Sequence, residues 1–366
     1  MRLSPNMKKL SVPCNWNFEK AQQIAVMAPE NDTMVYEMYG AISNDVFPTG
    51  RYKESMNIVN EADALRFKRD IVDKHGFNFA YLLNTPCSLK LLNLQDLRKY
   101  LDWIIYDFKA QSLTISSLEL MQFVRRHYPQ VNINVSTIAG VQNIEEFNNF
   151  LEIQPSRIIL HHNAVRNISG LKTLIAYAKE QGIKLELMLN ESCLQNCKRR
   201  KEHYNCLALN QSDHKFHVYC NTIKVQQPYQ LLMANFIRPE DIGFYAKLGV
   251  ELFKVTGRSK HPDWLPEVVG AYLHQSYDGN LIRLLGIDPA LRAEEWFKLS
   301  NRGLAGFLEN WPEEDQENYC KTFITNMYRN GEFTMHPDYA ETCLRNGELV
   351  SKVKGDLYAH NVQFQR

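Results

Sequence analysis

Short runs of apolar and β-branched residues alternate along the chain with longer segments in which apolar residues recur at helical spacing. Eight of the short runs have the length and composition of buried strands. They occupy residues 9–14, 34–39, 78–83, 112–116, 132–136, 157–161, 184–189 and 251–256. The clearest helical patterns lie between strands, at residues 94–108, 117–128, 144–153 and 170–182. Eight strands that alternate with helices predict an α/β fold, the parallel (β/α)8 or TIM barrel.

An open, doubly wound sheet is the alternative architecture, because it shows the same alternation of strands and helices. Nucleotide-binding versions of that sheet carry a glycine-rich GxGxxG or Walker sequence after the first strand. Neither sequence follows residues 9–14 here. We therefore expect the closed barrel.

Two connections are longer than those of a compact barrel, which predicts that they carry function or lack order. One contains NDVFPTGRYKES, between the second and third strands, and the other, residues 190–236, follows the seventh strand. Residues 264–275 form the predicted eighth helix. The predicted domains are a TIM barrel over 1–285, with a cysteine-bearing loop at 190–236, and a helical C-terminal extension over 286–366.

The composition adds limits to this picture. The chain has 366 residues, of which 45% are hydrophobic, so it can bury a large core. Its formal net charge of +1 gives no global basic field of the kind that marks nucleic-acid binders. The N-terminus lacks a long apolar segment and no stretch approaches the ~20 apolar residues that span a bilayer. We expect a soluble, cytoplasmic protein.

Polar residues follow the predicted strands, at the end where TIM barrels place their active sites. The positions are Cys14, Glu37, Tyr39, Asn84, Ser116, Ser136, His161, His162, Asn190, Glu191, Gly257 and Arg258. Glu37 stands in an apolar run and needs a partner, which Arg51 or Arg258 could supply; a structural ion pair and contact with substrate are both open. His161 and His162 can place only one imidazole inward, because adjacent strand residues face opposite ways.

Four of the eight cysteines cluster after the seventh strand, as Cys193-x3-Cys197-x8-Cys206-x13-Cys220. Without a secretory signal this clustering favours a metal site over disulfides. Structural zinc sites prefer CxxC, so the first spacing disfavours zinc, whereas an iron–sulfur cluster accepts irregular spacing. Cys206 is the least certain ligand; it could simply pack, and His203 could replace it or act as a proton donor. The scattered cysteines are expected to be small buried hydrophobes.

The basic run KRRK, residues 198–201, lies inside this cysteine cluster. It would neutralise the negative charge of four thiolates on a 4Fe–4S cluster. A solvated loop face and a contact with RNA phosphates are the alternatives.

The segments NESCLQNCKRRKEHYN and FIRPEDIGFYAKLGVELFKVTGR, with LSVPCNW, YEMYG and FNFAYLLN before them, resemble the U32 collagenase-like peptidase family. The resemblance covers residues 8–283. It implies a TIM barrel that in some members carries an iron–sulfur cluster and takes part in oxygen-independent hydroxylation of ubiquinone precursors or RNA bases. It also implies that Cys193, Cys197 and Cys220 are ligands, with Cys206 as the fourth. The region directly after the second strand, YGAISNDVFPTGR, has no cysteine, whereas one ubiquinone-pathway member has a cluster cysteine there, so a substrate does not transfer.

The sequence as a whole predicts an enzyme with a 4Fe–4S cluster at the barrel mouth, which hydroxylates or otherwise oxidises a small molecule or an RNA base. The predicted catalytic residues, which orient substrate and move protons, are Glu37, His161, His203 and Arg258. Zinc is the alternative metal. A hydrolase with Cys14 or a serine near His161 as nucleophile is one alternative function. A cluster-bearing subunit that pairs with a second U32-like protein is another, and no membrane partner is expected.

Overall fold

The computed structural model describes residues 7–42, 59–84, 88, 92–209, 211, 214–257, 260, 263–286 and 293–335. Arg51, Arg258 and two of the scattered cysteines, Cys87 and Cys343, lie outside this part of the chain. Contacts between Cα atoms divide the chain into two compact units. The first comprises Met1–Leu189, Lys198–Ser212 and Ile237–Gln275, and the second comprises Asn190–Cys197, Asp213–Phe236 and Ser276–Arg366.

The first unit contains a closed barrel of eight parallel strands in chain order, as the sequence predicts. The strands are β1 Lys8–Pro13, β2 Thr33–Gly40, β3 Asn78–Leu83, β4 Ser112–Ile115, β5 Ile133–Val135, β6 Arg157–Ile159, β7 Lys184–Met188 and β8 Leu252–Lys254. The barrel closes where β1 pairs with β8, in a register that sets Leu10 beside Phe253. Every predicted strand is present, and the largest difference in bounds is at β8, which is shorter than the predicted 251–256.

Helices of the first unit follow the strands. They are α1 Phe18–Ala25, α2 Glu61–Phe67, α3 Leu94–Asp102, α4 Leu118–His127, α5 Ile144–Asn148, α6 Ile168–Glu180, α7 Arg200–Ala208, α10 Ile242–Lys247 and α11 Trp264–His274. Two continue as π-helix, α2 over Lys68–Asp73 and α3 over Trp103–Asp107. Polar side chains start many of them, because an N-cap oxygen accepts a hydrogen bond from an otherwise unpaired amide. Asn17, Asn60, Asn93, Ser117, Asn143 and Asn167 play this part.

The apolar layer outside the strands is rich in aromatic rings near the start of the barrel. Trp16 stacks on Phe79 with ring centroids 5.9 Å apart, and Phe79 meets Phe108 edge-to-face at 4.9 Å. Such rings bury large areas and fix the packing angles of the elements that carry them. These ring contacts join β3 to the segments that follow β1 and α3.

The second unit is mostly helical. It contains α8 His214–Gln226, α9 Tyr229–Met233, α12 Ala293–Trp296 and α13 Gln316–Arg329, with a two-stranded antiparallel sheet of β9 Phe297–Leu299 and β10 Phe333–Met335. Helices α9 and α13 pack together, and the Tyr229 hydroxyl donates to Glu317 at 3.2 Å. The helical character predicted after residue 286 is therefore present where the chain is described.

The segment 190–236, predicted as a loop, differs from that prediction because helices α7, α8 and α9 occupy much of it. Polar and apolar residues are mixed around α7 and α8, so no clear apolar stripe announces either helix in the sequence. Among the described residues, no helix is both long and apolar enough to cross a membrane.

Candidate functional site

The barrel interior contains a buried ionic network centred on Arg157. Its guanidinium donates to both carboxylate oxygens of Glu37, at 2.8 and 2.9 Å, and lies 3.5 Å from a Glu186 oxygen. The hydroxyl of Ser11 donates to the same Glu37 carboxylate at 2.9 Å. Glu37 is 3% exposed, Arg157 5% and Glu186 0%. The network therefore joins β1, β2, β6 and β7 without contact with bulk water.

The electrostatics of this network favour the charged form of Arg157. Burial alone lowers the pKa of Arg157, but the carboxylates of Glu186 and Glu37 outweigh it and leave that pKa raised. Burial and the charge of Glu37 also raise the pKa of the nearby Tyr36. A buried guanidinium between two carboxylates is strongly coupled, so loss of the arginine exposes each carboxylate to uncompensated burial.

The structure gives Glu37 the basic partner that its burial requires, and among the described residues that partner is Arg157. Arg51 and Arg258 lie outside the described residues. Arg157 is the first residue of the apolar run RIIL. A charged residue at the start of a buried strand is the sequence feature that could have indicated this pairing. The sequence separation of 120 residues hides the pairing until the barrel closes.

Two further polar contacts lie on strands of the barrel. The Asn134 amide donates to Ser112 at 2.8 Å, and the Lys254 ammonium stands 3.3 Å from the centroid of the Tyr39 ring. The Tyr39 hydroxyl donates to the Val255 carbonyl at 2.6 Å, which fixes that ring. The end of β8 thus places a cation against an aromatic face, an arrangement that stabilises a buried ammonium.

His161 and His162 lie just beyond β6, which ends at Ile159. Strand alternation, the reason for expecting only one inward ring, therefore does not extend to this pair, and the two ring centroids are 4.1 Å apart. His161 is half-buried and caps the short 3-10 turn His162–Ala164, where its Nδ1 accepts from the Asn163 amide at 3.3 Å. It remains reachable from solvent, as a proton-transfer group must be.

His162 is fully buried and meets Arg200, the first residue of α7. The guanidinium Nη1 lies 3.3 Å from His162 Nε2. Arginine only donates, so Nε2 accepts and the proton of the neutral ring is on Nδ1. This contact fastens the start of α7 to the end of β6, a link that the sequence did not predict.

Helix α7 carries two of the predicted site residues, His203 and Cys206. His203 is half-buried, and its ring stacks beside Tyr204 with centroids 6.3 Å apart. Cys206 is buried, and its thiol lies 3.6 Å from the Gln211 carbonyl. The packing role considered for Cys206 thus has structural support, while its ligand role stays a prediction.

The other three clustered cysteines belong to the second unit and are half-buried; they are Cys193, Cys197 and Cys220. Glu191 organises the first of them, since its carboxylate accepts from the amides of Ser192 at 3.0 Å and Cys193 at 3.2 Å. The scattered thiols behave as predicted where they are described: Cys14 and Cys320 are buried.

The thiol of Cys220 has a perturbed environment. Burial raises its pKa, but His217 and the positive charge of Lys224 act more strongly in the opposite direction and leave the pKa lowered. The thiol also donates to the His217 carbonyl at 3.2 Å. A thiol whose ionised form is favoured is chemically suited to bind a soft metal centre.

Cys193, Cys197 and Cys220 are of the ligand type that iron–sulfur clusters take, and they share one compact unit. In the described residues, no three side chains of His, Cys, Asp and Glu converge as a metal-binding group. The residues that would hold a cluster are therefore assigned by type and placement, without a coordination geometry.

Three further predicted positions have local structural roles. Ser136 caps the 3-10 turn Thr137–Ala139, accepting from the Ile138 amide at 3.3 Å, as the capping alternative predicts. Asn190 is buried, and its amide donates to the Leu284 carbonyl at 3.0 Å. Gly257 has φ of +121°, a conformation that favours glycine. These positions therefore shape the chain and do not add a reactive group.

Comparisons of sequence and of structure relate this chain to known proteins. The sequence model of peptidase family U32 matches residues 69–189. An "uncharacterized protease" of Methanocaldococcus jannaschii is 27% identical over 261 residues, which cover 68% of this chain and 76% of that protein. A solved U32 peptidase has a TM-score of 0.47 and 14% identity, covering 70% of this chain and 96% of its own. A phosphoribosyl anthranilate isomerase has a TM-score of 0.33 and 14% identity, covering 50% and 77%. The two sequence matches confirm the resemblance seen in the sequence: residues 69–189 match the model of peptidase family U32, and the relative of Methanocaldococcus jannaschii extends the similarity to 261 residues.

Proposed function

We propose that this protein is an iron–sulfur enzyme that adds oxygen to, or otherwise oxidises, a small molecule or an RNA base. The observation that carries the proposal is the presence of three of the four predicted ligands, Cys193, Cys197 and Cys220, as half-buried cysteines in one compact unit. Cys206 or His203 would be the fourth ligand. Zinc is the alternative metal.

The bound cluster would supply electron transfer and a Lewis-acidic iron. The protein would supply proton transfer and orientation of the substrate. His161, half-buried beyond β6, is the group proposed to move the proton, and His203 on α7 is the second candidate. Arg258 is proposed to hold the substrate. Glu37 would act by fixing Arg157 within the barrel, since its carboxylate is already engaged.

A peptidase is the alternative that the name of the Methanocaldococcus relative favours. It requires an accessible nucleophile next to a base. Cys14, the nucleophile considered from the sequence, is only 4% exposed, which disfavours attack on a peptide. A second U32-like chain as partner is compatible with either chemistry.

The reaction class can be tested by product analysis. Cells that overproduce the wild-type chain, Cys220→Ser or the control Cys320→Ala would be grown without oxygen, and their RNA nucleosides and small metabolites compared by mass spectrometry. We expect a compound heavier by one oxygen atom in the wild type and the control that is absent with Cys220→Ser. Cleavage of a peptide library by purified protein, retained in Cys220→Ser, would instead support the peptidase.

A further inference from the structure

The inward-facing side of the barrel carries many polar side chains. Residues that pair across neighbouring parallel strands point to the same side of the sheet, and the contact between Glu37 and Arg157 identifies that side as the interior. TIM barrels usually fill inward positions with bulky branched residues. Here the strand register places a polar set inside the barrel, made up of Ser11, Glu37, Tyr39, Ser112, Thr114, Asn134, Arg157, Glu186 and Lys254.

This inward set contains two acidic and two basic side chains. Glu37 and Arg157 form the two-point ion pair described above. The other two are Glu186 on β7 and Lys254 on the neighbouring strand β8, which are 0% and 6% exposed. Because an unbalanced charge is costly in a buried site, an interior with equal numbers of acidic and basic groups favours a ligand that carries no net charge.

Glu186 is the acidic group that a ligand could engage. Its carboxylate lies 3.5 Å from the Arg157 guanidinium, and neither of its oxygens has a hydrogen-bond partner among the described residues. Burial of a carboxylate without hydrogen bonds is costly. A ligand ammonium has three N–H donors, and charge-assisted hydrogen bonds from it would satisfy both oxygens.

Lys254 is the basic group that a ligand could engage, at the end of the barrel where TIM barrels bind their ligands. It is the last residue of β8, and its Cα pairs with Met188, two residues beyond Glu186 on β7. Two residues of a strand span about 6.6 Å, so Lys254 is one layer closer to the barrel mouth than Glu186. Its ammonium stands 3.3 Å from the centroid of the Tyr39 ring, and the hydrogen bond from Tyr39 to the Val255 carbonyl holds that ring.

We propose that the barrel interior between Lys254 and Glu186 binds a free α-amino acid, whose carboxylate contacts Lys254 and whose ammonium contacts Glu186. A zwitterion has no net charge and presents one group of each sign, as these two side chains require. The inward residues Ala80 on β3 and Ser112 on β4, the strands opposite β7 and β8, are small. The inference concerns the barrel unit, goes beyond the proposed oxidation chemistry and does not depend on a metal centre.

Isothermal titration calorimetry of the purified full-length chain with each proteinogenic amino acid tests this site. For the amino acid that binds most tightly, its amide lacks the carboxylate and its N-acetyl derivative lacks the ammonium. We expect the wild type to bind each derivative at least roughly tenfold more weakly, because each loses the hydrogen bonds of one charged group. This comparison needs no variant, so it holds even where a substitution inside the barrel prevents folding. Binding of none of the amino acids, or equal affinity for the derivatives, would overturn the inference.

Two variants assign the two ends of the ligand. Lys254→Met should weaken binding of the amino acid roughly tenfold and leave binding of its amide unchanged, because the amide has no carboxylate. Glu186→Gln should weaken binding of the amino acid similarly and leave binding of the N-acetyl derivative unchanged. The control Lys184→Met removes an exposed lysine at the first position of β7 and should bind as the wild type does. Wild-type affinity for the amino acid in either Lys254→Met or Glu186→Gln would overturn the inference.

Discussion

Arg157 and Glu37 form a two-point ion pair inside the barrel, with guanidinium-to-carboxylate distances of 2.8 and 2.9 Å. Glu186 adds a second carboxylate at 3.5 Å. The three side chains come from three strands, so the network acts as a cross-link through the centre of the barrel. Its stability depends on Arg157, which contacts both carboxylates.

Replacement of Arg157 by methionine should destabilise the fold by about 3–5 kcal/mol, because two buried carboxylates lose their partner. Urea unfolding followed by circular dichroism measures this change. The control is Arg302→Met, which removes an exposed pair with Asp278 and should leave the unfolding midpoint nearly unchanged. Similar midpoints for both variants would show that the buried network contributes little.

Replacement of Arg200 by glutamine should loosen α7, because the buried His162 ring loses the guanidinium that contacts it. We expect faster amide hydrogen exchange in residues 200–208 and unchanged exchange in the barrel strands. The control is Lys201→Gln, an exposed neighbour on the same helix. Equal exchange in the two variants would mean that the contact with His162 does not hold the helix.

Replacement of Asn235 by leucine should leave the melting temperature unchanged or raise it. Asn235 is fully buried, and neither atom of its amide has a hydrogen-bond partner among the described residues. Removing an unsatisfied buried polar group relieves a desolvation cost of about 1–3 kcal/mol. Asn301→Leu is the contrasting variant, since that buried amide donates to the Tyr277 carbonyl at 2.7 Å and its loss should lower the melting temperature. A large destabilisation by Asn235→Leu would show that its amide is bonded in the folded protein.

The barrel could be predicted from the sequence because each strand is a compact apolar run with its own turn signals. Residues 78–83 coincide with β3, and the asparagines before α1, α3 and α6 cap helices where the pattern begins. These features are local, so they can be recognised in a single sequence.

The site could be predicted only in part, because its contacts join distant segments. That Glu37 needs a cation follows from its burial, but the choice of Arg157 depends on how β2 and β6 meet across the barrel. The contact between His162 and Arg200 depends in the same way on where α7 lies. Lys224 is an ordinary helical lysine in the sequence, and its burial becomes visible only in the folded chain.

The central claim is that Cys193, Cys197 and Cys220 hold an iron–sulfur cluster. Its most direct test is the iron and acid-labile sulfide content per chain after anaerobic purification and reconstitution, in the wild type and in the serine variant of each cysteine. We predict about four iron and four sulfide per wild-type chain, as a 4Fe–4S cluster requires, with loss of both in each of the three variants and retention in the control Cys320→Ala. A wild-type chain that stays free of iron and sulfide, or that binds stoichiometric zinc instead, would contradict the claim.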